Sequence, residues 1–207
     1  MDIAIAAVVG YLLGSVPFGL IASRFSGGMD VRDFGSGKTG FTNSLRVLGL
    51  KRSVPVFAGD CLKGLVAALL PLLWTEDPWA RAIGGLAAVC GHVWPLFAGF
   101  RGGRGVLTGA GVLLALSPVA VLIVLPVSAL ILYTTRFMSL MSISTAALVA
   151  VSFVVFAALD IHPWAFAAIA VIGCTLVIVL HHDNIARLRA GTERRVGERA
   201  GAGVSAP

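Results

Sequence analysis

Unbroken apolar runs dominate this chain, in place of the alternating or striped patterns of a water-soluble domain. A helix needs roughly 20 apolar residues to cross about 30 Å of hydrocarbon. Four runs meet that length: Ile3 to Phe25, Val54 to Trp74, Ala80 to Phe100 and Ser139 to Leu159. A fifth, Trp164 to Leu180, is slightly short but uninterrupted. The stretch from Gly105 to Tyr133 is too long for one crossing and short for two, and Ser117-Pro118 breaks it near its middle.

The basic residues decide how to read that stretch. Arg24, Arg32, Lys38, Arg46, Lys51 and Arg52 flank the first connection, Arg101 and Arg104 follow the third run, and Arg136 precedes Ser139. Five arginines between Arg187 and Arg199 fill the tail, whereas the remaining connections carry mostly acids and a single Arg81. Basic connections stay cytoplasmic, which requires Gly105 to Tyr133 to cross twice. The expectation is an all-α integral membrane protein of seven transmembrane helices, the fourth and fifth short, with the N-terminus outside and the C-terminus cytoplasmic. Residues 1–190 are then expected to form a single transmembrane domain. Residues 191–207, a mixture of arginine, glycine and alanine, are expected to form a flexible cytoplasmic tail.

Composition agrees. The chain is 57% hydrophobic and only 13% charged, where a soluble domain carries about a quarter charged residues. Its net charge of +6 is placed between spans, which points to topology and phosphate chemistry and away from nucleic acid. Cys61, Cys90 and Cys174 stand singly in apolar segments, without metal or disulfide spacing. The first charge is Asp2 rather than a basic start, so the first run is expected to remain as a span and not to be cleaved as a leader.

Three polar blocks interrupt the apolar background. The first is Gly35-Ser36-Gly37-Lys38-Thr39-Gly40 with Thr42, Asn43 and Arg46. Amides of a glycine-rich turn can converge on an anion, Ser36, Thr42 and Asn43 add neutral donors, and Arg46 supplies a planar fork matched to phosphate oxygens. A nucleotide P-loop is excluded, because Arg32 stands where its first glycine belongs and no strand flanks the turn. The second block, Arg101-Gly102-Gly103-Arg104-Gly105, sets two guanidinium groups at the head of a new helix; His92 just before it reads as a packing histidine. The third is His181-His182-Asp183-Asn184, where imidazole is tuned to proton transfer near neutrality. Asp60 and Lys63, one helical turn apart in the second run, read either as a structural clamp or as support for the site.

Taken together, GSGKTGFTNSLR, GHVWPLFAGFRGGRGVLT and HHDNIARL resemble the acyl-phosphate:glycerol-3-phosphate acyltransferase family (PlsY type) of bacterial inner membranes. The likeness extends over nearly the whole chain, with Tyr11 to Ser15, Asp60 to Gly64 and Ser139-Leu140 included. It implies a multi-pass enzyme with its site on the cytoplasmic side. The reaction would move a fatty acyl group from acyl phosphate to the 1-hydroxyl of glycerol 3-phosphate, giving lysophosphatidic acid and phosphate. Carried over position by position, the resemblance implies catalytic roles for His181, Ser36, Arg46 and Arg104. It implies substrate contacts from Thr42, Asn43, Arg101, Gly102, Gly103, Gly105, Ser139 and Asn184. Arg101 and Arg104 replace lysines, Lys38 a common Asn, and Phe41 a small residue.

No acyl-enzyme nucleophile is legible, so direct attack of the hydroxyl on the acyl carbonyl is expected. Either His181 or a substrate phosphate oxygen would take the proton. The expected partners are the two small-molecule substrates and membrane lipid, with no nucleic acid, no metal and no cofactor; the oligomeric state is left open. The rival reading is an anion or organophosphate transporter, whose contacts would lie at the bilayer midplane on broken helices.

Overall fold

The structure is a computed structural model, describing residues 1–197. Ten helices and no strand occur among the described residues: α1 (Asp2–Gly14), α2 (Phe18–Phe25), α3 (Phe41–Leu48), α4 (Leu50–Leu69), α5 (Pro78–Val93), α6 (Val106–Leu116), α7 (Pro118–Thr135), α8 (Met138–Ala158), α9 (Trp164–Val179) and α10 (His182–Arg189). Five stretches are long and apolar enough to cross a bilayer: Asp2–Phe25, Leu50–Leu73, Pro78–Ala98, Pro118–Thr135 and Met138–Ala158. A sixth arises if α9 is joined to α10 across a 55° bend.

The first expected span is broken. Pro17 has no N–H and forces Val16 out of helical geometry, so α1 ends at Gly14 and α2 restarts at Phe18. The released Val16 carbonyl accepts from Lys63 Nζ at 2.9 Å. The expectation of a short fifth segment is corrected. α7 has 18 residues at mean hydropathy 2.1, because Pro118 starts it as a first-turn proline and the Thr134 and Thr135 hydroxyls bond back to its own carbonyls. α6, with 11 residues, is the short one, about 16 Å long at 1.5 Å per residue.

Small residues bring the helices together. A side chain at Gly10 or Gly14 of α1 would collide with Gly84 or Ala88 of α5, and one at Gly64 of α4 with Thr108 of α6. The larger core lies between α5, α6, α7, α8 and α9 around Phe153, Val112 and Ala120. Val8, Ile123, Val151 and Val179 remain exposed, forming a lipid-facing belt. Arg81, at the end of the bundle away from the polar blocks, is held internally. Its guanidinium donates to Ala68 O at 3.3 Å and Ala115 O at 2.9 Å and lies over Phe166. Those carbonyls belong to the last turns of α4 and α6, whose partial negative charge a cation offsets.

Candidate active site

Most of the polar positions singled out in the three blocks meet in one pocket of roughly 300 Å³ at one end of the bundle. Ser36, Thr42, Asn43 and Arg46 reach it from the first connection and α3, Arg104 and Gly105 from the head of α6, Ser139 from α8, and His181 and Asn184 from the α9–α10 bend. Asp60, His92 and Glu193 join them.

Asn43 builds the first block. Its Nδ2 donates to Val31 O (2.9 Å), Phe34 O (3.1 Å) and Lys38 O (2.9 Å), while its Oδ1 accepts from Ser36 N at 2.9 Å. The turn can close over this side chain only because Gly35, at φ +64, has no Cβ where Oδ1 sits. Both polar atoms of the Asn43 side chain are therefore engaged with backbone, which holds the loop in place. Arg32 fixes the same loop from outside through Asp30 (2.7 Å) and Ala98 O (2.8 Å). Ser36 and Thr42 are half-buried on the pocket wall.

The second block divides. Gly102 N donates to Val93 O at 3.2 Å and Gly103 N to His92 O at 3.1 Å, so these amides cap the end of α5 instead of cradling an anion. A side chain at Gly103 would strike the His92 ring. Gly105, at φ +79, turns the chain into α6. Arg104 Nε donates to Leu180 O at 3.0 Å, tying the block to the third one. Burial and then the neighbouring Arg187 push the Arg104 pKa down, against Asp183 and Glu193; a bound anion would relieve that cost. Arg101 does not reach this pocket. It is exposed on a separate open cleft with Arg24 and Arg32.

Of the histidine pair, His182 is exposed and His181 buried. His181 Nδ1 lies 2.7 Å from Val177 O. A carbonyl can only accept, so Nδ1 carries the proton and Nε2 keeps its lone pair. Burial lowers the His181 pKa, the Val177 bond opposes it, and Arg104 lowers it further. The ring is neutral at neutral pH, the state a proton acceptor requires.

Glu193 is the residue that the sequence reading missed. Its carboxylate accepts from Ser139 Oγ (2.7 Å), Asn184 Nδ2 (2.6 Å) and Arg187 Nε (2.7 Å). Burial raises its pKa, but these three bonds outweigh burial and hold it below the usual value. The donors of Ser139 and Asn184, expected to meet substrate, are thus spent on Glu193, leaving Asn184 Oδ1 buried without a partner among the described residues. Within the stretch expected as a flexible tail, Val196 exchanges two hydrogen bonds with Arg136. The rest of the expected flexible tail, residues 198–207, lies outside the described residues. The signal available was that Glu193 is the one acid between Arg187 and Arg195.

Asp60 and Lys63 are one buried pair at 2.8 Å, with His92 Nδ1 3.4 Å from the same carboxylate oxygen. Lys63, through Val16 O, clamps α4 to the break in the first span. Asp60 turns to the pocket, its Oδ2 buried and without a partner among the described residues.

Beside this polar pocket runs a narrow apolar slot between α5, α6, α8 and α9. The two share Val106 and Ser142 as walls. A cationic chamber sharing two walls with an apolar slot suits a phosphate-bearing amphiphile.

Residues 4–191 match the family model described as glycerol-3-phosphate acyltransferase. The chain belongs to that family. It is 46% identical over 192 residues to the glycerol-3-phosphate acyltransferase of Geobacter sulfurreducens, covering 92% of this chain and 96% of that one. Among solved structures it is similar to PlsY (YgiH), an integral membrane glycerol 3-phosphate acyltransferase, in its glycerol 3-phosphate form: TM-score 0.86, 37% identity, 95% of this chain and 96% of that one. The lysophosphatidic acid form of the same protein superposes at TM-score 0.84, with the same identity and coverage. As a member of this acyltransferase family, the chain takes part in phospholipid synthesis.

Proposed function

We propose that the chain transfers a fatty acyl group from an acyl phosphate to the 1-hydroxyl of glycerol 3-phosphate. The hydroxyl oxygen attacks the acyl carbonyl carbon, the bond from that carbon to the phosphate oxygen breaks, and lysophosphatidic acid and inorganic phosphate leave. One observation carries the reading: Arg46, Arg104 and a neutral His181 share a pocket that adjoins an apolar slot across the common walls Val106 and Ser142. The solved relatives with glycerol 3-phosphate and with lysophosphatidic acid support the acceptor and the product.

Arg46 and Arg104 bind phosphate and neutralise charge gathering on the leaving group. His181 Nε2 accepts the hydroxyl proton, in competition with a phosphate oxygen of the substrate. Ser36 and Thr42 add hydroxyl donors on the wall of the chamber. Asn184 Oδ1 and Asp60 Oδ2, both acceptors without a partner among the described residues, suit the hydroxyl hydrogens of glycerol rather than its phosphate. Positioning carries much of the acceleration, because the donor arrives activated.

The membrane placement that fits this chemistry has seven crossings, with the pocket at the cytoplasmic face of a bacterial inner membrane and the N-terminus outside. The charge asymmetry supports it, as does the position of Arg104 and Ser139 at one end while Ala115 is bound by Arg81 at the other. The purified protein should release one phosphate per lysophosphatidate from palmitoyl phosphate and glycerol 3-phosphate, and form little product from palmitoyl thioesters. Preference for a thioester, or uptake of glycerol 3-phosphate into vesicles without product, would overturn the reading.

A further inference from the structure

Two glycines in the apolar slot lack the packing reason that explains the others. Every other glycine inside a described helix would drive a Cβ into a neighbouring helix, loop or side chain, as Gly14, Gly64 and Gly111 do. A Cβ on Gly109 of α6 would lie 4.0 Å from Val89 Cγ2, and one on Gly173 of α9 would lie 3.7 Å from Leu86 Cδ1. Both are ordinary contacts, so alanine fits at either position. Glycine nevertheless weakens a helix interior relative to alanine. What these two positions share is that they face the slot.

The slot descends from the polar pocket along three helices. On α6 it runs from Val106 to Leu113, on α8 from Ser142 to Val149, and on α9 from Val177 to Ile169. Seven or eight residues at 1.5 Å each give a depth of about 10–12 Å. Its walls offer nothing polar to an occupant: Ser142 Oγ donates to Met138 O at 2.8 Å and Thr145 Oγ1 to Ser128 Oγ at 2.7 Å. An unbranched hydrocarbon chain is the occupant that matches an apolar slot lying against a phosphate-binding chamber. Gly109 and Gly173 stand three and four residues below the mouth residues Val106 and Val177, about 5–6 Å down.

We propose that Gly109 and Gly173 are specificity-determining residues that keep this slot open, and that the slot sets how much of the donor's acyl chain is accepted. The inference rests on the acyl-transfer reading above. Only a chain that threads past both glycines reaches the far end near Val149 and Ile169. A larger side chain at either position shortens the slot without touching the phosphate chamber.

The test is a chain-length profile for the detergent-purified enzyme, using acyl phosphates from octanoyl to stearoyl. Gly173→Leu and Gly109→Leu should shift the optimum to shorter chains. Each methylene kept out of the slot should lower relative kcat/KM about fourfold, the equivalent of about 0.8 kcal/mol per buried CH₂, while the KM for glycerol 3-phosphate is unchanged. Gly173→Ala, which the packing accommodates, should give a smaller shift of the same sign. Val149→Ala, at the far end, should extend the preference to longer chains and supplies a readout if leucine prevents folding. An unchanged profile in all folded variants, or a loss equal at every chain length, refutes the slot assignment. Wild-type protein that uses thioesters instead of acyl phosphates sinks the donor assignment alone, because the length profile is then read with the thioester series.

Discussion

Asn43 gives the sharpest test of the geometry, because its position in a phosphate-gripping motif and its contacts point to different roles. Asn43→Ala deletes four hydrogen bonds, three given to Val31, Phe34 and Lys38 carbonyls and one taken from Ser36 N. A buried bond contributes about 0.5–1.5 kcal/mol net. The bond to Val31 O is fully buried and the others partly, so some freed groups regain water and the sum falls to about 2–3 kcal/mol. For a chain of this length that lowers the melting temperature by about 5–10 °C. Asn43→Asp should be no better: its carboxylate can still accept from Ser36 N but now faces three carbonyls it cannot donate to. Thermal melting in detergent, paired with steady-state kinetics, measures both effects. The reasoning fails if Asn43→Ala melts with wild type and only the KM for glycerol 3-phosphate rises, since that pattern belongs to a direct substrate contact.

Three further predictions concern charge. With the His181 pKa depressed by burial, a proton-accepting His181 stays neutral through neutrality, and turnover falls only on acidification through a pKa below about 6.5. His181→Ala should stay folded with a large loss of kcat and lack that acidic limb; a wild-type limb above that value contradicts a buried neutral ring. The Glu193 carboxyl is held below its ordinary pKa, so its contribution is present above the unfolded value and is lost as pH falls through the folded one. Glu193→Gln should melt below wild type at neutral pH, with the gap closing below about pH 4; a gap that persists in acid rules out the charge as its source. Arg104→Gln should lower kcat/KM at least about tenfold, an energy of about 1.4 kcal/mol, while Arg101→Gln, on its separate cleft, should fall much less. Equal losses would place Arg101 at the chemistry after all.

Glycine and proline, in different settings, show how far local reading reaches. Pro118 reads as a break between two segments and is one, since a proline cannot continue a helix but can start the next. Pro17 breaks the first span just as sharply, yet it lies inside an unbroken apolar run where hydropathy alone registers nothing. Pro55 and Pro126 stand within helices that continue past them. The glycines of the second block are implied by the resemblance to meet substrate, but the amides of Gly102 and Gly103 are used to cap α5.

What the sequence determined by itself is the environment and the chemistry. Long apolar runs admit only helices in lipid, because every backbone group must be satisfied internally, and basic connections gather at one end. The residue types able to grip phosphate are visible in the same way, since charge and hydrogen-bonding capacity belong to the side chain wherever it lies. Partner choice was decided by tertiary structure alone. Whether Asn43 meets substrate or loop, which of His181 and His182 is buried, that Arg101 and Arg104 part company, and that Glu193 returns to Ser139 all depend on contacts between residues far apart in the chain. A hydrogen bond is set within a few tenths of an ångström, and only the packing of glycine-lined helices against one another brings its two ends that close.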